Sequence, residues 1–154
     1  MSRVSNFEVL SKREQPVIFI RTTTSVEKLP ILIGESYEKM GAYLGELGAY
    51  LSDVPYVAYR NMDMQSLDVE IGFPVFMGLP EKGEIKAGTI AAGKVVFCMY
   101  RGAYSECEST YKEMEKWITD NGFTPTGMAY EHYYNSPRDF PETEMLTMIV
   151  MPIL

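Results

Sequence analysis

The chain has 154 residues, of which 46% are hydrophobic and 23% are charged. These values lie near the globular average, so they exclude collagen-like, disordered and coiled-coil proteins and predict one domain over residues 1–154. The net charge of -7 argues against direct nucleic-acid binding, which needs a basic surface. No apolar stretch is long enough to cross a membrane, so we expect a soluble, cytoplasmic protein.

Alternating apolar residues, helical periodicity and turn residues predict eight strands and two helices. In chain order, the strands are expected over residues 7–13, 17–23, 56–62, 67–76, 84–91, 94–100, 128–135 and 145–153. One helix should follow the second strand and the other the sixth strand. Short turns rich in Gly, Pro and Asn favour antiparallel pairing. The predicted fold class is therefore α+β, with a curved antiparallel sheet, both helices on one of its faces, and a central ligand groove.

The first helix should run over residues 30–52, because Pro30 is tolerated in a first turn and an apolar stripe follows it. The stripe consists of Ile33, Tyr37, Met40, Leu44, Leu47 and Leu51. The same segment contains Gly34, Gly41, Gly45 and Gly48, each of which costs about 1 kcal/mol relative to Ala inside a helix. Close packing against the second helix is the preferred explanation for these glycines, and a dimer contact is the alternative.

The second helix should begin at Ser105, since Glu108 three residues later completes a capping box. It should end near Asn121 and Gly122, which favour a left-handed stop. Its inward face is expected to carry four residues, namely Cys107, Tyr111, Met114 and Ile118.

The two halves of the chain resemble each other when the sequence is shifted by about half its length. Residues 17–20 align with residues 95–98, and residues 73–75 align with residues 151–153. Between them, Ala58-Tyr59-Arg60 aligns with Ala129-Tyr130-Glu131 at a slightly smaller shift. The order of these matches predicts two pseudo-repeats, at about residues 7–76 and 85–154.

Cysteine and histidine are too few for the common metal and redox sites. Cys98 and Cys107 lack Cys-x-x-Cys spacing, so we expect reduced thiols in the interior. His132 is the only histidine, and no nucleophile-elbow motif accompanies it. The glycines lack the spacing and context of a phosphate loop. The sequence therefore predicts neither a metal nor a nucleotide cofactor.

The strand over residues 128–135 carries the strongest candidate for ligand binding. Period two places Met128 and Tyr130 on one face, and Glu131 and Tyr133 on the other. We expect Met128 and Tyr130 to face the helices, so that Glu131 and Tyr133 point into a cleft on the opposite face. A buried carboxylate among aromatic rings is costly unless a cation relieves it. The alternative is that Glu131 pairs with Arg60 or faces solvent.

Further cleft residues follow from the same alternation. Tyr56, Ala58 and Arg60 should point into the cleft, whereas Val57 and Tyr59 should point inward. On the next strand, Asp68 and Glu70 share a side and should face solvent or bind neighbouring side chains. Tyr100 and Tyr104, at the junction with the second helix, are candidates for the cleft wall, with packing as the alternative for each.

Several segments taken together resemble the GyrI-like small-molecule-binding domain, also called the AraC-type or transcription-activator effector-binding domain. They are Asp68-Val69-Glu70-Ile71-Gly72-Phe73-Pro74-Val75, Tyr100-Arg101-Gly102-Ala103-Tyr104, Trp117-Ile118, Asn121-Gly122 and Tyr130-Glu131-His132-Tyr133. The resemblance covers nearly the whole chain. It implies a duplicated strand-helix-strand-strand fold whose groove accepts lipophilic, often cationic, aromatic compounds. It also implies that Glu131 is the glutamate that reaches into this groove.

The resemblance leaves two functions open. The first is a stand-alone module that senses or sequesters hydrophobic cations through Glu131, Tyr133, Tyr56, Arg60, Tyr100 and Tyr104, with a protein partner or a homodimer as further possibilities. The second is a hydrolase of cyclopropane-containing toxins, in which Glu131 is base or nucleophile and Tyr133 or another groove tyrosine is proton donor. Regulators of the family carry a helix-turn-helix segment before this domain, and we expect none ahead of Phe7.

Overall fold

The computed structural model describes residues 2–103, 106–135 and 139–154. Within these residues the chain forms two α-helices, α1 (Leu29–Leu47) and α2 (Glu108–Asp120). The strands are β1 (Ser2–Arg3), β2 (Glu8–Lys12), β3 (Gln15–Thr24), β4 (Tyr56–Tyr59), β5 (Leu67–Pro74), β6 (Lys86–Ile90), β7 (Gly93–Arg101), β8 (Ala129–Tyr133) and β9 (Leu146–Pro152). All described strand pairs are antiparallel, so the predicted α+β class is confirmed.

The chain divides into two compact units, and unit 2 is the continuous segment Arg13–Ala92. Its strands pair in the order β4, β5, β3, β6. Helix α1 packs on β3 and β5, where the ring of Tyr37 contacts the ring of Phe73 at a centroid distance of 5.2 Å. Pairing across the sheet puts Ile20, Val57 and Ile71 on the same face as Phe73, and all three are buried. This apolar face is the core of unit 2.

Unit 1 consists of Met1–Lys12 together with Gly93–Leu154. Strand β7 pairs with β1 and β2 on one side and with β9 on the other, and β9 pairs with β8. Helix α2 covers one face of these strands with Tyr111, Met114 and Ile118, all of them buried. The core of this unit therefore lies between α2 and the strands.

The compact units do not coincide with the segments expected for the pseudo-repeats, 7–76 and 85–154. Strand β2 comes from the first half of the chain, yet it pairs with β7 of unit 1. In return, β6 lies next to β7 in sequence but pairs with β3 of unit 2. Unit 1 thus contains β2, which belongs to the first half of the sequence, and unit 2 contains β6, which belongs to the second half.

Two expectations for α1 are wrong. The helix ends at Leu47 instead of residue 52, because Gly48 adopts a left-handed conformation with φ of 65° and its N–H bonds to the carbonyl of Gly45. Gly34, Gly41 and Gly45 do not mark a close approach, since a Cβ atom added at any of them would meet no atom within 4 Å. Nothing in the structure explains these three glycines.

Helix α2 has the predicted end but not the predicted start. Gly122 is left-handed, with φ of 81°, and the Asn121 side chain bonds to the carbonyl of Trp117. The helix begins at Glu108 with Cys107 as its N-cap and no side-chain capping bond. Glu108 is therefore the first helical residue instead of the fourth position of a capping box, and Ser105 lies outside the described residues.

Candidate functional site

The face of β8 that carries Glu131 is the one that α2 covers. Glu131 pairs across the strands with Ile149, which in turn pairs with Cys98, and both of these partners belong to the core beneath α2. The expectation that Met128 and Tyr130 face the helix is therefore wrong, and so is the expectation that Glu131 and Tyr133 lie on the face opposite the helices. The position that packs under α2 is Ala129, whose small side chain admits the helix, and the same alternation carries Glu131 and Tyr133 to that side.

The carboxylate of Glu131 is held by two tyrosine hydroxyls. Tyr111 of α2 donates to Oε2, and Tyr133 of the same strand donates to Oε1 at 2.8 Å. The side chain is only 7% exposed. Among the residues that the structure describes, no Lys, Arg or His forms an ion pair with it. The site is thus a buried acid whose partners are neutral donors.

Burial dominates the protonation behaviour of this site. Removal from water raises the pKa of the Glu131 carboxyl, and the hydrogen bonds from Tyr111 and Tyr133 offset only part of that rise. The pKa of Cys107 is raised to about 12, chiefly by burial and also by the nearby Glu131 carboxylate. Burial likewise raises the pKa of Tyr100. Cys107 and Tyr100 therefore remain neutral at physiological pH.

Unit 2 contains a second buried glutamate with different partners. Glu70 is also 7% exposed and accepts a hydrogen bond of 2.6 Å from Tyr56. Arg60 completes the group with an ion pair of 2.9 Å from Nη2 to Oε1. Gly72 makes the arrangement possible, because a Cβ atom at this position would overlap the ring of Tyr56.

The six predicted site residues fall into three groups. Glu131 and Tyr133 are joined directly, and Tyr100 lies in the same core, with its hydroxyl donating to the carbonyl of Ala103 at 3.0 Å. Tyr56 and Arg60 share a face of unit 2, as predicted, but there they hold Glu70. Tyr104 lies outside the described residues.

Two important residues were not recognised from the sequence as part of a site. Tyr111 was predicted only to face inward, and helical periodicity gives no sign that its hydroxyl reaches Glu131. Glu70 was expected to face solvent or bind its neighbours, and it does bind them, but its burial was not expected. Its neighbour Asp68, by contrast, forms a bidentate pair with Arg21 near the surface.

A separate pocket of about 480 Å³ lies beside α2. The N-terminal segment and the helix surround it, through Arg3, Asn6, Phe7, Glu113, Lys116, Trp117 and Asp120. The rings of Phe7 and Trp117 are 6.0 Å apart, and the guanidinium of Arg3 stacks 4.2 Å above Phe7. None of these residues bonds to Glu131, so the pocket is distinct from the buried acid.

Other reactive groups are sparse in the described part of the chain. Both cysteines are free thiols; Cys98 is buried and Cys107 is half-buried. His132 is buried on the face of β8 away from α2. No cluster of three or more His, Cys, Asp or Glu residues is present among the described side chains. None of the described helices has the length and apolar composition needed to span a membrane.

Comparison with solved structures shows the same fold in several proteins. The EcmrR C-terminal domain has a TM-score of 0.79 at 20% identity, with 98% of each chain covered. A hydrolase from Listeria innocua has a TM-score of 0.72 at 16% identity, over 96% of this chain and 91% of that one. SAV2435, solved bound to tetraphenylphosphonium, has a TM-score of 0.66 at 12% identity, over 97% of this chain and 94% of that one.

The full EcmrR chain, solved in a complex with DNA, also matches, with a TM-score of 0.82 at 20% identity. The present chain covers 57% of the length of that protein. A search of curated protein sequences finds no significant match. The profile of the GyrI-like small molecule binding domain matches residues 5–154, and the chain therefore belongs to the GyrI-like small-molecule-binding domain family.

Proposed function

We propose that this domain binds lipophilic, aromatic organic cations through Glu131. The observation that carries the proposal is that a carboxylate only 7% exposed is bonded to Tyr111 and Tyr133 and to no cation among the described residues. Desolvation of an unpaired charge is expensive. A cationic ligand at Glu131 would supply the missing counter-charge.

The surroundings of Glu131 favour an aromatic, apolar ligand body. The rings of Tyr111 and Tyr133 adjoin the carboxylate, and Tyr100 lies in the same core. A cation placed over such a ring gains about 0.5 to 2 kcal/mol. The rings would therefore add to the attraction of the carboxylate while excluding water from the bound charge.

Entry of the ligand requires a side chain to move, and Tyr133 is the best candidate. Tyr111 is buried among the core residues beneath α2, whereas Tyr133 is half-buried at the end of its strand. Rotation of Tyr133 would break one hydrogen bond to Glu131, and the positive charge of the incoming cation would compensate for the loss of that bond. Because Glu131 lies on the α2 side of β8, we place the entry on that side.

One protein of the same fold has been solved with a lipophilic cation bound. SAV2435, which was solved bound to the lipophilic cation tetraphenylphosphonium, has the same fold. At 12% identity this likeness speaks for the fold, and the choice of ligand for this chain depends on Glu131. We propose that the bound state serves sensing or sequestration, and that a protein partner or a second copy of the chain receives the signal.

Calorimetric titration of tetraphenylphosphonium tests the proposal. At contact distance a charge pair gains roughly 4 kcal/mol in an effective dielectric of about 20, and desolvation removes a large share of it. We expect Glu131→Gln to weaken binding by about 30-fold, equivalent to about 2 kcal/mol, and to leave the affinity for neutral triphenylphosphine oxide unchanged. Equal losses for both compounds would contradict the charge argument.

Glu70→Gln is the matched control, because Glu70 has the same exposure as Glu131 but already has Arg60 as its counter-ion. We expect this variant to bind tetraphenylphosphonium within about twofold of the wild type, a difference below 0.5 kcal/mol. A large loss in this variant would show that any buried glutamate in the fold affects binding indirectly.

Hydrolysis is the second candidate, and the contact between Glu131 and Tyr133 favours it. Glu131 would accept a proton from water, and the water oxygen would attack a carbon of a cyclopropane ring. As the ring bond breaks, Tyr133 would protonate the released carbon and recover a proton from Glu131 across their 2.8 Å contact. Incubation with an electrophilic cyclopropane should then yield a product with one added water, detected by mass spectrometry.

A further inference from the structure

Thr147 of β9 has a buried hydroxyl without a visible role in the fold. The residue is 2% exposed, and its Oγ1 atom has no hydrogen-bond partner among the described residues. A buried hydroxyl without a partner costs free energy, and buried polar groups in native proteins are seldom left in this state. The position therefore needs an explanation beyond packing.

The sheet register makes Thr147 a neighbour of Glu131 on the same face of the sheet. Thr147 is directly opposite Tyr133 on β8 and opposite Tyr100 on β7. Glu131 is opposite Ile149, so Thr147 is its diagonal neighbour on the same face of the sheet. Diagonal neighbours in an antiparallel pair have Cβ atoms roughly 7 Å apart. A single small group between the two side chains can therefore contact both.

We infer that the site selects cations that carry N–H groups, and that Thr147 recognises one of these hydrogens while Glu131 binds the charge. This inference rests on the proposed function. A carboxylate has about four acceptor positions, and two of those on Glu131 are taken by Tyr111 and Tyr133. A primary ammonium has three donors and can serve both Glu131 and Thr147.

A fully substituted cation can interact with Glu131 but cannot form a hydrogen bond with Thr147. Tetraphenylphosphonium or a quaternary ammonium satisfies the charge of Glu131 but has no hydrogen to donate, so the Thr147 hydroxyl would stay unpaired in the complex. The cost of that unpaired group is what would separate the two ligand classes. The expected ligands are thus protonated aromatic amines.

The experiment compares two ligands that share an aromatic body, 3,3-diphenylpropylammonium and its N,N,N-trimethyl derivative. Calorimetry gives both dissociation constants for the wild-type protein, Thr147→Val and Thr147→Ser. Valine matches threonine in shape and lacks only the hydroxyl. The ratio of the two dissociation constants is therefore compared between proteins, and the steric effect of the three N-methyl groups on the ligand cancels in that comparison. We expect the preference for the primary ammonium to fall about tenfold in Thr147→Val and to persist in Thr147→Ser.

Thermal unfolding of the free proteins separates recognition from a structural role. Because the hydroxyl has no hydrogen-bond partner among the described residues, Thr147→Val should melt at the same temperature as the wild type or higher. A marked drop in melting temperature, failure to fold, or an unchanged ligand preference would each overturn the inference. If Glu131→Gln leaves both affinities unchanged, the proposed function itself fails, which is a result distinct from a failure at Thr147.

Discussion

Glu131 in unit 1 and Glu70 in unit 2 have the same exposure, 7%, and each accepts a hydrogen bond from a tyrosine. They differ in the remaining partner, because Glu70 has Arg60 whereas Glu131 has a second tyrosine, Tyr111. Glu70 is therefore a completed ion pair that contributes to the fold. Glu131 has no such counter-ion among the residues that the structure describes, so equal burial accompanies two different electrostatic environments.

Arg60→Met should give the largest effect, since it would turn Glu70 into an acid without a counter-ion. Loss of one partner from a buried pair costs about 3 to 5 kcal/mol, and the 31% exposure of the Arg60 side chain reduces the expected loss to about 2 to 3 kcal/mol. Urea denaturation at pH 7 measures the change. The double variant Arg60→Met/Glu70→Gln should recover most of it, and no recovery would contradict the pairing.

Gly72→Ala should come next, because the added methyl group overlaps the Tyr56 ring. Tyr56 is fully buried and bonded to Glu70, so it cannot move without breaking that hydrogen bond. We expect a loss of about 2 kcal/mol in unfolding free energy. Gly93→Ala is the control, since its new Cβ meets nothing within 4 Å, and it should change stability by less than about 0.5 kcal/mol.

Glu131→Gln should stabilise the free protein by about 1 kcal/mol near pH 8. The folded-state pKa of Glu131 is raised above its ordinary value of 4.5, so the folded protein retains a proton that the unfolded chain releases. Its contribution to stability is present below pH 4.5 and is lost as the pH rises through the folded-state pKa. Melting temperatures from pH 4 to 8 should therefore show the benefit of the variant growing with pH.

Cation binding should strengthen with rising pH, whereas the contribution of Glu131 to the stability of the free protein falls. Tetraphenylphosphonium should bind more tightly as the pH rises and Glu131 ionises, while Tyr100 and Cys107 stay neutral. A flat affinity profile between pH 4 and 8 in the wild type would rule out ionisation of Glu131 as the source of affinity.

Tyr133→Phe should have the smallest effect. Removal of one hydrogen bond to the carboxylate raises the pKa of Glu131 further, because that bond favours the charged form. We expect the midpoint of the binding profile to move up by about 0.5 to 1 pH unit. Tyr130→Phe is the control on the opposite face of β8, and an equal shift in that variant would contradict the assignment.

The sequence was sufficient to predict the elements, because each has its own periodic signal. The eight predicted strands occur within a few residues of their expected positions, and only the two-residue strand β1 was missed. The pairing of the strands could not be predicted in the same way. Strand β2 pairs with β7 and β6 pairs with β3, and both pairings depend on contacts between distant parts of the chain. Local alternation contains no information about such pairing.

The site was predicted only in part, for a related reason. Period two separates Glu131 and Tyr133 from Met128 and Tyr130 but does not say which pair a helix will cover. Hydrophobicity favoured Met128 and Tyr130, whereas packing under α2 depended on the small size of Ala129. The contact from Tyr111 to Glu131 joins residues 20 positions apart in two different elements, so it could be found only from the tertiary structure.

The division of the chain also determines when each unit can fold during synthesis. Unit 2 is one continuous segment, Arg13–Ala92, so all of its strands are synthesised before β7, β8 and β9 of unit 1. Strand β2 must then wait for β7, and the remaining strands follow later still. The nascent chain therefore presents β2 without its partner strand for a time, and an unpaired strand is prone to wrong pairing.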